Sequence, residues 1–327
     1  MPTNSRSSSQ PGAPSAPPLR SSGRSIPQRL IRSARRKVGN LWEVIEIRRP
    51  RYSKEPSPDG AKPPGWQGWT FSRKVAWQAL NPDPRVDYRT WVDKNRVKDL
   101  VRPVFDVAET FLAVERAEDI DADRLPDTFV MKATHGWNMS LLVVDGIVRG
   151  GNRDLEGAGR KADTAYLRRV ARGWLGSQRE ARRRLRERQY RFVQPRILFE
   201  ERIDPVDYEL QLFLFNGRCR FALVFFRDFH HGGASHRLYG EHWRRLAPGS
   251  RKAAAWYEGS AEETPPPPAE LLQRLEQLCR EVGHVRADFF VSGGRYWFSE
   301  FSFTHNGGRG PGLIGRYDAE LGRFWSG

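Results

Sequence analysis

Cysteine is scarce. Only Cys219 and Cys279 occur among 327 residues, far apart, in apolar surroundings and without a CxxC pair. That pattern excludes a disulfide framework and a cysteine zinc site, and it fits a reducing compartment. Long apolar runs are also missing: none approaches the roughly 20 residues that span a bilayer. The positively charged start of the chain has no apolar stretch behind it, which argues against a secretory signal; the folded body is expected to be cytoplasmic. No GxGxxG stretch marks a dinucleotide site, and no serine lies in a nucleophile elbow. Acidic residues are short in supply, with 39 Asp+Glu against 55 Lys+Arg. Such a balance attracts nucleic acid, membrane surfaces, nucleotides or acidic polymers. Much of the excess precedes residue 40, however, where no Asp or Glu occurs. Composition therefore specifies no nucleic acid as a partner of the body.

Residues 1–40 are rich in Ser, Pro and Arg and almost free of aromatics. They cannot bury enough apolar surface to offset the entropy of ordering, which predicts a disordered tail. Its end, Arg32 to Lys37, is a candidate peripheral tether to an anionic membrane or polymer at the inner membrane face; a solvated tail is the plainer account. The remaining length suits two or three packed lobes. A largely helical region is expected over 41–125, one lobe over 126–203 and another over 204–327.

Trp69, Phe71, Val75, Ala76, Trp77 and Leu80 fall near helical spacing. A second helix is predicted from Asp93 to about Arg102. A third, over 164–191, carries Leu167, Val170, Ala171, Trp174 and Leu175 on one face, and a solvated face explains its arginines more simply than a nucleic-acid groove. A fourth runs from Leu271 to Val282, after a stiff linker at Pro265 to Pro268. Strands are predicted over 128–132, 140–144, 196–203, 208–215, 218–226, 285–291 and 295–301. Asp145-Gly146, Asn216-Gly217 and Gly293-Gly294 read as tight turns between them. Strand pairs with helices between groups make an α+β protein with antiparallel sheets.

The stretch HVRADFFVSGGRYWFSEFSFTHNGG, residues 284–308, carries the most chemistry. Period-two alternation places Arg286 and Asp288 on one face, opposite Val285, Ala287, Phe289 and Val291. It also places Phe298, Glu300 and Ser302 on one face of the returning strand. Closure at Gly293-Gly294 makes Asp288 and Glu300 near-opposite neighbours. Two carboxylates so placed call either for a hard cation such as Mg²⁺ or for compensation by Arg286 or Arg295. In FVMKATHGWN, residues 129–138, a strand delivers Lys132 to a loop with Thr134, His135 and Gly136. An ammonium beside backbone N–H groups suits a phosphate, and an ordinary solvated lysine fits the same letters. Glu200, Glu201, Asp207 and Glu209 lie around a strand end, either as acceptors for a base and ribose or as turn acids. His230-His231-Gly232-Gly233 reads as an exposed loop or a weak metal site.

Taken in order, WTFSRKVAWQAL, WVDKNRVKDLV, LPDTFVMKATHGWN, QYRFVQPRILFEE, DYELQLFLFNGR and VRADFFVSGGRYWFSEFSFTHNGG resemble the TupA-like ATP-grasp proteins, named for teichuronopeptide biosynthesis. The resemblance implies an ATP-grasp fold holding a nucleotide between two lobes, with 126–203 and 204–327 as its two subdomains. It implies ATP and Mg²⁺ as cofactors, and carboxylate and amine substrates joined through an acyl phosphate, glycan-linked and belonging to a cell-surface polysaccharide. By position it assigns Lys94 and Lys132 to the phosphates, with the loop at Thr134, His135 and Gly136 closing over them. It places Glu200 and Glu201 at the adenine and Asp207 at the ribose. Arg286 would steady the transferring phosphoryl group, and Asp288 and Glu300 would hold Mg²⁺ with Ser302 beside them. Two positions depart from the pattern: Glu209 stands where relatives often carry Lys, and Ser302 where many ATP-grasp enzymes carry Asn. Other readings of the same letters are a glycosyltransferase-like protein, a non-catalytic member of the fold and a basic nucleic-acid binder.

Overall fold

The computed structural model of the chain describes residues 61–136, 139–151, 158–177, 186–227, 234–255, 257 and 263–326. The basic tail and the His230-His231 loop lie outside these residues. In chain order the strands are β1 (Asp106–Val107), β2 (Thr110–Val114), β3 (Phe129–Ala133), β4 (Ser140–Val144), β5 (Ile147–Gly151) and β6 (Ile197–Glu200). They continue with β7 (Tyr208–Phe215), β8 (Arg218–Arg227), β9 (Ala234–Tyr239), β10 (Arg245–Leu246), β11 (His284–Ser292) and β12 (Arg295–Ser302). The helices are α1 (Phe71–Leu80), α2 (Tyr88–Trp91), α3 (Arg96–Val101), α4 (Thr164–Leu175), α5 (Arg251–Ala254), α6 (Ala269–Leu278) and α7 (Asp318–Phe324). None among the described residues is long and apolar enough to cross a membrane.

Two sheets organise these elements, as expected for an α+β chain. The smaller has the order β2-β6-β3-β4-β5, and the larger β1-β12-β11-β7-β8-β9-β10. Neighbours are antiparallel except at the edge, where β1 runs parallel to β12. The hairpins close where the sequence placed them. Asp145 and Gly146 have φ of 53° and 70°, Asn216 and Gly217 48° and 73°, and Gly293 and Gly294 54° and 76°. Two successive left-handed residues give the turn whose twist matches that of the strands it joins.

The smaller sheet buries one face against α4, where Tyr166, Leu167, Val170 and Trp174 meet Met131, Leu141, Val143 and Phe199. The larger sheet is covered on both faces. On one, Leu212, Leu214, Val285, Ala287 and Phe289 pack with Val97, Val101, Leu275 and Cys279 from α3 and α6 and their ends. On the other, Phe213, Phe215 and Phe221 pack with Phe71, Val75 and Trp77 from α1 and with Trp325. Each Val, Leu or Phe side chain among them, fully buried, contributes about 1.5–3 kcal/mol. This second apolar face ends at the polar row of Arg286 and Asp288.

The structure corrects the sequence reading in several places. β2, β5 and β9 lie outside the expected strands, the strand expected over 196–203 ends at Glu200, and the helix expected from Leu271 to Val282 spans Ala269–Leu278. Three further differences have a visible cause. The helix expected over 164–191 ends at Leu175, where the Gly176 N–H turns back to the carbonyls of Arg172 and Trp174. Residues 178–185 lie outside the description, and Arg188–Phe192 is a 3-10 turn. The helix expected from Asp93 starts at Arg96, because the Asp93 carboxylate accepts from the N–H groups of Asn95 (2.8 Å) and Arg96 (3.2 Å). Such a turn competes with helical continuation and caps the helix that follows. The third correction concerns β12. Phe289 pairs with Phe298, but Asp288 pairs with Glu300, so Ser299 is an extra residue and the strand bulges. Phe298 therefore does not share a face with Glu300. It enters the core beside Phe289 and Phe301, at ring-centroid distances of 5.6 and 4.8 Å.

Candidate functional site

Three segments converge on the polar end of the β11–β12 face: the end of β3 with its following loop, the turn leading into α3, and the end of β6. Glu200, at the end of β6, is 3% exposed. One carboxylate oxygen accepts from Lys98 Nζ at 2.7 Å, and the other pairs with Lys132. Lys98 Nζ also donates to the Ala108 carbonyl and the Thr110 hydroxyl, both at 2.8 Å, which uses its three protons. Burial pushes the Glu200 carboxyl up, but Lys132 and Lys98 together hold it below its ordinary value. Burial lowers Lys98 despite its contact with Glu200.

On β11 the guanidinium of Arg286 grips Asp288 in a two-pronged contact of 2.7 and 2.6 Å. A third nitrogen of Arg286 lies 3.2 Å from His305 Nδ1. Because guanidinium only donates, that ring nitrogen accepts. Burial pushes Asp288 up to about 6; Arg286 opposes the rise, and the negative charges of Glu300 and Glu209 add to it. Glu300 moves the other way: burial would raise it, but Lys94 and Arg286 hold it below its usual range. Lys94 Nζ lies 3.2 Å from Glu300 and donates at 2.9 Å to the carbonyl of Gly136. Lys132 Nζ stands 5.7 Å from the ring centre of Phe290, which pairs with Glu209 across β11 and β7.

Of the residues singled out from the sequence, the structure thus brings together Lys94, Lys132, Gly136, Glu200, Arg286, Asp288 and Glu300. Ser302 pairs with Arg286 in the hairpin register. A Cβ at Gly136 would lie 2.1 Å from Met139 Sδ, so a larger residue there requires the Met139 side chain to shift. Thr134 and His135 are engaged within the small sheet and its helix. The Thr134 hydroxyl donates to the Gln194 carbonyl and accepts from the Arg196 N–H, both at 3.0 Å. His135 Nε2 lies 3.3 Å from the carbonyl of Trp174. Glu201 accepts from the Glu109 N–H at 3.2 Å, and Asp207 accepts from the Gly293 N–H at 2.8 Å, next to the β11–β12 turn. Two further residues, Lys98 and His305, belong to the site. Lys98 lies four positions after Lys94, the spacing of neighbours on the helix expected from Asp93, although Lys94 itself precedes the helix. His305 had no comparable signal.

Asp288 and Glu300 offer only hard oxygen ligands, and among the described residues each is compensated by a cation, Asp288 by Arg286 on both oxygens and Glu300 by Lys94. Among the described residues no group of three or more His, Cys, Asp or Glu is set to hold a metal. A cation such as Mg²⁺ needs only one or two carboxylates, with phosphate oxygens and water completing its shell. Asp288 and Glu300 have the donor type for it, and Asp288 would have to share its oxygens with Arg286.

Comparison with known families gives the class: this is an ATP-grasp protein. More narrowly, residues 73–325 match the TupA-like ATPgrasp family, and the chain belongs to it. Among solved structures it is similar to the D-alanine–D-alanine ligase of Bacillus anthracis complexed with ATP, at 13% identity and TM-score 0.40, over 72% of this chain and 63% of that one. It is also similar to the macrocyclase MdnC of Microcystis aeruginosa MRC bound with the precursor peptide MdnA, at 12% identity and TM-score 0.37, over 76% of this chain and 64% of that one. A third is the ATP-grasp ligase PsnB complexed with a phosphomimetic variant of its minimal precursor, Mg and ADP, at 11% identity and TM-score 0.37, over 65% of this chain and 50% of that one. The chain thus spans between half and two thirds of those proteins. No curated protein matches it.

Proposed function

We propose that the chain is a Mg-ATP-dependent carboxylate–amine ligase. The observation that carries this reading is the position of Lys94, whose ammonium reaches both the Gly136 carbonyl and the Glu300 carboxylate. The loop after β3 and the carboxylates of β11–β12 are therefore bridged by one ammonium group, which a bound polyphosphate would share. Lys94 and Lys132 would neutralise phosphate oxygens. Arg286, permanently charged and fixed in plane by Asp288, would present its guanidinium to the phosphoryl group in transfer. Glu300 would hold Mg²⁺ with Ser302 alongside, and Asp288 would join it through lone pairs that its two contacts with Arg286 leave over; the ion would supply charge neutralisation at the phosphates. Glu200 has both oxygens on lysines, which leaves Glu201 and Asp207 as the side-chain acceptors for the base and ribose.

With these charges fixed in advance, a substrate carboxylate oxygen attacks the terminal phosphorus and ADP leaves. An amine then attacks the acyl carbon, phosphate departs, and the amine proton is lost to solvent or a base. The acyl phosphate requires that water be kept out while it waits. Glycan-linked substrates of a cell-surface polysaccharide are the proposed pair; what supports them is the resemblance to proteins of polysaccharide loci.

Hydroxylamine tests the chemistry directly, because it converts an acyl phosphate to a hydroxamate. The full chain would be given Mg-ATP and hydroxylamine with a panel of uronic and amino acids. ADP release together with hydroxamate, dependent on one carboxylate class, is expected. Mg-ATP binding with no carboxylate-dependent ADP release across the panel would favour a non-catalytic member of the fold.

A further inference from the structure

The charges of the site pair off unevenly. Arg286 matches Asp288 and Lys94 matches Glu300, but Glu200 stands between two ammonium groups, Lys98 and Lys132. That trio keeps one net positive charge. Its members also differ in access: the Lys98 and Glu200 side chains are 6% and 4% exposed, and that of Lys132 is 22% exposed. Lys98 is held by three acceptors, the Ala108 carbonyl, the Thr110 hydroxyl and Glu200. It cannot turn toward a ligand without leaving them. Lys132 is committed to one oxygen of Glu200 and lies toward Phe290 of the opposite sheet.

A lone lysine facing a buried carboxylate forms a neutral pair and has little attraction left for an anion. A second ammonium on the far oxygen changes this: the single negative charge of the carboxylate is then shared by two ammonium groups, and the surplus is open to an anion only at the more exposed of them, Lys132. We propose that Lys98 is a positioning residue that quenches Glu200 from behind, so that the surplus positive charge of the trio appears at Lys132 and is available to phosphate oxygens. This rests on the reading of Lys132 as a phosphate contact. It gives Glu200 a role other than recognition of the base: it fixes where the Lys132 ammonium stands, and Lys98 keeps that fixing from cancelling the charge. The competing account makes Lys98 a structural tie between β6 and the start of β2, through Thr110 and Ala108.

The two accounts separate in a charge-balance experiment with the full chain. Binding of inorganic tripolyphosphate and of Mg-ATP is measured by calorimetry for the native chain, K98M, K132M and the double variant K98M/E200Q. K98M should weaken tripolyphosphate binding about tenfold or more, approaching K132M, the scale of one charged contact. The double variant removes the carboxylate together with the lysine that quenched it and restores one positive charge at Lys132. It should bind within about threefold of the native chain. A purely structural Lys98 predicts a double variant no tighter than K98M, and that result overturns the proposal, as does K98M binding like the native chain. Failure of the native chain to bind either polyphosphate overturns it too. Should K98M not fold, the double variant, which buries no uncompensated charge, decides alone: native-like binding supports the proposal and loss of binding ends it. Mg-ATP binding that follows this pattern without carboxylate-dependent turnover would remove the ligase reading and leave this one standing.

Discussion

His284 opens β11 two residues before Arg286 and is 1% exposed. Its ring lies against Phe71, Phe215 and Trp325, with centroids 4.7, 4.8 and 5.0 Å away. Nδ1 is 2.9 Å from the Leu214 carbonyl, which can only accept, so this nitrogen carries the proton of the neutral ring. Burial lowers the imidazole from 6.5 to about 3. Between those values the unfolded chain binds a proton that the native chain refuses. The native state therefore keeps its full stability above pH 6.5 and loses it progressively as pH falls toward 3. The loss between pH 8 and pH 5 is about 2 kcal/mol. His305, lowered to about 3 by burial and the nearby Arg286, adds a similar amount. The substitution His284→Phe keeps an aromatic ring in the cluster and removes the titrating group, while giving up one hydrogen bond of about 1 kcal/mol. Urea unfolding at a series of pH values should show the variant less stable at pH 8, yet with a fall to pH 5 shallower by about 2 kcal/mol. Parallel pH curves for variant and native chain would refute the buried-neutral assignment.

Two other predictions concern the carboxylate hairpin. Glu300→Gln removes the charge opposite Lys94 and should cut Mg-ATP-dependent turnover about a hundredfold or more, with the far-ultraviolet circular dichroism unchanged; a native rate would exclude Glu300 as a metal ligand. Deleting Ser299 removes the bulge but leaves Phe298 toward the core and Glu300 opposite Asp288. Such a chain should fold within about 2 kcal/mol of the native stability and keep its Mg-dependent response to ATP; loss of that response would show that the bulge itself sets the site.

Local chemistry made much of this protein readable. Asp-Gly, Asn-Gly and Gly-Gly announce turns because few other residues tolerate two successive left-handed conformations. The alternation along β11 put Arg286 beside Asp288, since residues two apart on a strand share a face whatever packs on it. The two-residue strands β1 and β10 carry no periodicity to read, and β2, β5 and β9, of five or six residues, are also absent from the expected strands because their pairing with distant segments is not written in their local pattern. The role of Lys98 is not legible locally, because nothing near it says which acid, more than a hundred positions later in the chain, a lysine will meet.

The sequence by itself determined the hairpins, the apolar faces and the residue types that could neutralise phosphate, all of them consequences of backbone preference and side-chain period over a few residues. Only the tertiary structure decided the bulge at Ser299, because burying Phe298 and Phe301 on the same core face requires one extra residue between them and alternation cannot say which. Only the tertiary structure decided, too, that Glu200 would stand between Lys98 and Lys132. Desolvation makes an unpaired buried carboxylate too costly to keep, and which lysines answer it depends on how β6, β3 and α3 come together.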